Sequence, residues 1–401
     1  MTRLKRTIGL PVLLFYGLGN ILGAGIYVLI GKVAGEAGMY VPLAFFTASV
    51  VAGISAFTYS ELSARYPLSA GEAVYIDEGF HSAALSRLTG VLIACSGMVS
   101  AATISRGFYG YFSTILPLPE VLVITGIIVL LGALTMWGIS QSVGVAASLT
   151  VIEIVGLLLV IWAGRDALAT LPARIDTLVP PMQSSAMIGI ILGSFLAFFA
   201  YIGFEDMVNI AEEVKNPQRN LPAAILLALL IASLMYASVA LVAVLSVDQE
   251  TLSASQAPLA EVLSATSDID PRIISIISMI AIVNGALIQL IMASRLFYGM
   301  ASKGWLWHQL ATVNAKTQTP INATVLVVVL TLGLALWIPL ETLARSTSYL
   351  VLVVFALANA ALLLIKRTQA TPEGIINNPL WVPVTGFISC LGLVCFQLVS
   401  G

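Results

Sequence analysis

Long apolar runs recur along this chain, separated by short polar connections. Runs near or above the roughly 20 residues that carry a helix across a bilayer fall at about 10–33, 41–63, 88–114, 120–138, 143–163, 186–210, 221–246, 272–299, 320–338, 344–365 and 380–400. They lack the period-two alternation that a membrane β-strand of about 10 residues needs. The pattern predicts an all-α integral membrane protein of about 11 transmembrane helices. Two polar stretches are too long to be turns. Residues 65–83 predict a short amphipathic or re-entrant piece, and residues 246–271 a short surface helix.

Composition agrees with the pattern. Of 401 residues, 59% are apolar and 9% charged, where a soluble domain carries roughly 25% charged residues. Such a chain cannot cover itself with polar surface, so lipid must solvate it. A net charge of −2 without a clustered basic face argues against nucleic acid. Cys95, Cys390 and Cys395 lie in apolar segments without metal or redox spacing. His81 and His308 fall in connections, and no catalytic constellation is visible, so neither an enzyme, a metal site nor a cofactor is expected. The first run is long enough to be a retained span rather than a signal core. With the N-terminus inside, twelve lysines and arginines fall on the inner side and five outside, with Arg106 inside span three. This predicts a multi-pass protein of the plasma (cytoplasmic) membrane, N-terminus cytoplasmic and C-terminus outside.

Two runs are interrupted. The first contains GNILGAGIYVLIG, Gly19 to Gly31, with a glycine break at Gly23-Ala24-Gly25. The sixth contains FFAYIGFED, Phe198 to Asp206, with Gly203 beside acids. The five helices from one break to the next put the two spans in opposite directions, as in a carrier built from inverted repeats. Backbone groups freed at mid-membrane must bind something. The half-helix starting near Ile26 turns its N–H groups and positive dipole end toward the break, which suits a carboxylate. Carbonyls near Ile21 and Leu22 suit an ammonium or sodium ion. The second break, Ala200 to Gly203, can do the same with opposite polarity. The alternative is that Gly23 and Gly25 serve as small-residue packing.

Four separated segments carry a family resemblance. GLGNILGAGIYVLIGKVAGEAG, YSELSARYPLSAGEAVY, FFAYIGFEDMVNIAEEVKNPQRNLP and MASRLFYGMASKGWLWHQLATVNAKTQTP resemble corresponding segments of the amino acid–polyamine–organocation (APC) permease superfamily. The wording of the first is closest to the cationic amino acid transporter branch and its bacterial relatives. The resemblance implies a LeuT-type fold in one transmembrane domain, residues 1–401. Its 5+5 inverted repeats would cover about 8–165 and 186–367, with an extra helix at about 380–400. It also implies a secondary active transporter moving an amino acid by alternating access. The α-carboxylate would meet the backbone near Gly23, Ala24, Gly25 and Ile26. The α-amino group would meet carbonyls near Ile21 and along Phe198, Phe199, Ala200 and Tyr201, beside Gly203. Some bacterial relatives of that branch take small neutral amino acids, so a basic cargo is not implied. An exchanger, or a polyamine or organic-cation carrier of the same fold without proton coupling, is the alternative.

Ionisable groups at mid-span are functional candidates. Glu153 is the sole charge in its run, with Ala146, Thr150 and Gly156 on its face. It is the proton-coupling candidate, where proton-coupled members of the superfamily often carry a lysine. A cation ligand, a substrate contact or a neutral structural hydrogen bond remain its alternatives. Glu205, Arg106 and Asn284 are gate or vestibule candidates; Asp206 suits helix capping or vestibule lining. Phe199, Tyr201 and Phe204 are an aromatic gate or core packing. Glu212, Glu213, Lys215 and Arg219 form an inner gate or solvate the surface. Span eight offers Asn284 and Gln289 in MIAIVNGALIQ but no hydroxyl, so a proton is favoured over sodium as coupling ion.

Overall fold

The computed structural model describes residues 6–23, 25–68, 71–137, 143–181 and 184–400. The predicted Ala24 contact lies outside the described residues. The helices are α1 (Leu10–Leu22), α2 (Gly25–Ala37), α3 (Val41–Arg65), α4 (Gly71–Phe80), α5 (Ala83–Ser113), α6 (Glu120–Trp137), α7 (Val143–Ala163), α8 (Arg165–Ala169), α9 (Leu171–Arg174), α10 (Ser184–Phe198), α11 (Pro217–Ser246), α12 (Gln249–Ala254), α13 (Pro258–Thr266), α14 (Arg272–Ser302), α15 (Ile321–Trp337), α16 (Leu340–Thr368) and α17 (Trp381–Ser400). Among the described residues β pairing is limited to the single bridge Ile8–Val214.

Among the described residues, eight helical stretches are long and apolar enough to cross a membrane. One of them is the 56-residue run Leu10–Arg65. At about 1.5 Å per residue it would far exceed a ~30 Å hydrocarbon core, and a 3-10 turn at Gly38–Tyr40 divides it before α3. Within the α7 and α15 regions, Ser148–Ala163 and Ile321–Trp337 are shorter apolar helices. The chain is an integral multi-pass membrane protein. On these helices the exposed large side chains are those lipid solvates, such as Leu122, Leu130, Leu230 and Leu234, with Trp137, Trp337 and Trp381 near helix ends.

Local sequence explains where helices begin. Proline at the first or second position opens α1, α3, α11 and α13, where a missing N–H costs nothing. Ser82 caps α5 by accepting from the Leu85 amide, and Asp248 caps α12 by accepting from the Thr251 amide. The short helix anticipated in 65–83 is α4. The surface stretch 246–271 forms two short helices, α12 and α13, because Pro258 restarts the chain.

Packing places both breaks at the centre. α3 lies along α11, α5 along α14 and α6 along α15, while α2 packs on α10 and α1 on α7 and α11. α17 lies outside these, against α16 and α3.

Candidate functional site

The first break is narrow. α1 ends at Leu22, the Gly23 amide donates back to the Gly19 carbonyl at 3.0 Å, and helix resumes at Gly25. The second is wide. α10 ends at Phe198 and a 3-10 turn covers Phe199–Tyr201. Ile202 is extended, and a further 3-10 segment runs Glu205–Glu213. Gly203 sits at φ +127°, where a side chain is strained.

The two breaks are pressed together. A Cβ on Gly25 would fall 2.2 Å from the Ala200 Cα, and one on Gly203 would fall 2.9 Å from the Asn20 carbonyl. The Asn20 amide donates to the Gly203 carbonyl at 3.0 Å and to Asp206 Oδ2 at 2.6 Å. The Gly203 amide donates to Glu205 Oε2 at 2.8 Å. Gly23, Gly25, Ile21, Ile26 and Phe198 through Gly203 are all buried.

Two of the carbonyls expected to stand free at the breaks share one donor. Tyr236, on α11, points its hydroxyl between the Ile21 carbonyl at 2.6 Å and the Ala200 carbonyl at 3.0 Å. It therefore occupies the place that sequence reasoning reserved for an ammonium. Tyr201 donates instead to the Phe45 carbonyl at 3.1 Å, and its ring packs against Tyr236. Phe198 and Phe204 both pack on Phe355.

Acidic groups lie on two sides of this junction. On one side Glu153 is fully buried. Its Oε1 accepts from the Asn284 amide at 2.9 Å, while Oε2 has no partner. The same helix is bolted to the first span: Tyr27 donates to the Glu153 carbonyl at 2.8 Å, and Thr150 to the Phe15 carbonyl at 2.9 Å. Asn284 thus stands with Glu153. On the other side Glu205, Asp206 and Glu72 line a cavity of about 10 Å³ with Ser96, Ser100, Gln289, Thr347 and Phe355. That is about the space one water needs. Gln289 donates to Asp206 Oδ2 at 3.3 Å. Glu72 arrives on α4, outside the membrane-spanning segments, and burial pushes its carboxyl up to about 8. Among the described residues no group of three His, Cys, Asp or Glu is placed to hold a metal ion.

The remaining candidates lie apart. Arg106 donates to the carbonyls of Ala335 and Ile338 and pairs with Glu120 at 2.8 Å, closing the end of α15. Two further ion networks bracket α16. At one end Arg345 pairs with Glu36 and Glu341; at the other, buried Glu61 pairs with Arg65 and Lys366, each at 2.7 Å. Sequence reasoning missed Asn20, Glu72 and Tyr236. Asn20 was findable, as an amide in an uncharged mid-span segment. Nothing local marks the other two.

Comparison with known proteins fits this arrangement. The amino acid permease family model matches residues 8–400. An uncharacterized transporter of Mycobacterium tuberculosis is 30% identical over 97% of this chain and 86% of its own. Cationic amino acid transporter 3, mitochondrial, of Arabidopsis thaliana is 29% identical over 92% of this chain and 64% of its own. The methylthioribose transporter of Bacillus subtilis is 28% identical over 96% and 86%. These relatives are membrane transporters and not enzymes, and this chain belongs to the amino acid permease family of the APC superfamily.

Proposed function

We propose that this chain is a secondary active transporter that moves an amino acid by alternating access. The observation that carries the reading is the contact of two glycine-broken spans, Gly25 on Ala200 and Gly203 on Asn20. Such breaks supply backbone donors and acceptors at mid-membrane for a zwitterion. In this reading the cargo carboxylate meets the amides at Gly25 and Ile26, and its ammonium competes with Tyr236 for the Ile21 and Ala200 carbonyls.

The spans number eleven, in two inverted repeats of five with α17 outside them. Support comes from the packing: the proposed counterparts lie side by side, α3 with α11, α5 with α14, α6 with α15 and α2 with α10. The N-terminus is cytoplasmic, the C-terminus outside, and the membrane is the plasma membrane. The coupling ion is a proton carried by Glu153, which is buried, held by one amide and left with one oxygen unpaired. A cationic cargo is the second reading, favoured by the three carboxyls that line the neighbouring cavity.

Reconstituted vesicles test this. Counterflow with the common amino acids should identify at least one that is carried. An acid-outside gradient should drive its accumulation, and Glu153→Gln should keep exchange while losing the gradient response. Accumulation of none of them would end the amino acid reading. An unchanged gradient response in Glu153→Gln would end the role of Glu153.

A further inference from the structure

The cavity below the second break holds a charge imbalance that the carrier reading leaves unused. Glu72, Glu205 and Asp206 line it, and they are 2%, 7% and 4% exposed. The charged group acting on Glu72 is Asp206, and those acting on Glu205 are Asp206 and Glu72. Among the described residues no ion pair involves any of the three. Arg295 enters at one remove, acting on Tyr16, which Asp206 also faces. The other packed elements bring neutral groups: Tyr59 from α3, Tyr75 from α4, Gln289 from α14, and hydroxyls from α5 and α16.

The hydrogen bonds around the cavity show the same shortage of donors. The Asn20 amide gives both its donor contacts to Gly203 and Asp206, and its oxygen is buried with no donor. The fully buried Tyr59 hydroxyl faces Glu72 and Glu205 and is a donor turned toward the Glu72 carboxyl. Three carboxylates around a water-sized space, with no counter-charge, cannot all stay ionised. A proton on one of them turns an acceptor into a donor, which is what the buried Asn20 oxygen lacks.

We infer that Glu72, Glu205 and Asp206 together form a proton-binding site, with Glu72 the member that exchanges the proton with water. Glu72 suits that task by position. It is the second residue of α4, which does not span the membrane, and Leu68 shortly before it is exposed. Burial holds its carboxyl neutral up to about pH 8. The α4 start is docked on the second break: a Cβ on Gly71 would fall 2.4 Å from Val208. Glu205 and Asp206 belong to that segment and Glu72 does not, so movement of the segment changes how the three carboxyls share the cavity.

The test needs no cargo, so its failure and the failure of the amino acid reading are separate results. The purified full chain is titrated while infrared spectroscopy follows the C=O stretch of protonated carboxyl groups. The wild type should lose one such signal with a midpoint near 8. Glu72→Gln should lack that titration, and Glu153→Gln should retain it. Asp206→Asn removes the neighbouring negative charge and should move the midpoint to lower pH. The proposal is overturned if Glu72→Gln titrates like the wild type. Should that variant not fold, an unmoved midpoint in Asp206→Asn overturns it equally.

Discussion

Two buried acidic regions flank the junction of the broken helices, and they differ in everything except burial. Glu153 is alone, on a regular helix, with one amide partner and a backbone carbonyl tied to Tyr27. The group beneath the second break gathers three carboxyls from two elements around a cavity, on a backbone bent through Gly203 at φ +127°. The first is a joint, where α1, α2, α7 and α14 meet through side chains of fixed partnership. The second is a place where charge and shape change together, because two of its acids, Glu205 and Asp206, ride on the irregular segment itself. One buried carboxyl can be neutralised without moving anything. Three that share a space make the occupancy of each depend on the others.

The sharpest way to break the comparison is to separate the two regions. Gly25→Ala puts a Cβ 2.2 Å from the Ala200 Cα, and backbone cannot yield as a side-chain tip can. Overpacking of this kind costs about 3 kcal/mol, the upper part of its usual range. Thermal unfolding should show a clear loss of stability and transport should vanish. A stable, active Gly25→Ala protein would mean that the two breaks are not held in contact.

Asn284→Ala comes next. It leaves both oxygens of a fully buried carboxyl without a donor, at about 1–3 kcal/mol. Glu153→Gln in the same background should recover part of the loss, since a neutral amide tolerates the site better than a carboxylate. No recovery in the double variant would show that Asn284 acts by packing against Gly19 rather than through Glu153.

The pH dependence of stability separates the two regions at smaller cost. The Glu72 carboxyl, raised by burial to about 8 from 4.5, binds its proton more tightly folded than unfolded. Stability from this group is therefore complete below the unfolded value, falls as pH rises between about 4.5 and 8, and is lost above. Melting curves should show a decline across that window that Glu72→Gln lacks. A decline of the same size in both would place its origin elsewhere.

The contrast also explains what the sequence could disclose. Helix positions were legible because lipid demands long apolar runs, and both breaks were legible because glycine beside mid-span polarity has few other uses. Glu153 stood out as the one charge in its run. Glu72 did not, since in SAGEAVY it reads as an acid in a polar connection. Packing of α4 against α5 and α16, with Gly71 against Val208, buries it. Tyr236 was hidden for the opposite reason, as one more large side chain in an apolar helix. Its hydroxyl matters only because Ile21 and Ala200, 179 positions apart in sequence, bring their carbonyls to it.

Tyr236→Phe gives the smallest expected change and bears on both regions, since the hydroxyl closes the seam between them. Removing one neutral hydrogen bond costs about 1 kcal/mol. Packing should survive, because the ring contacts with Phe45 and Tyr201 remain. The informative quantity is the response to cargo. If the cargo ammonium takes the Ile21 and Ala200 carbonyls, it must displace the hydroxyl in the wild type but finds them open in the variant. The amino acid that stabilises the wild type in a thermal-shift series should then stabilise Tyr236→Phe by a larger increment. The same increment in both proteins would place the ammonium away from these carbonyls. Glu153, the carboxyl whose charge reaches Tyr236, would then be the alternative anchor.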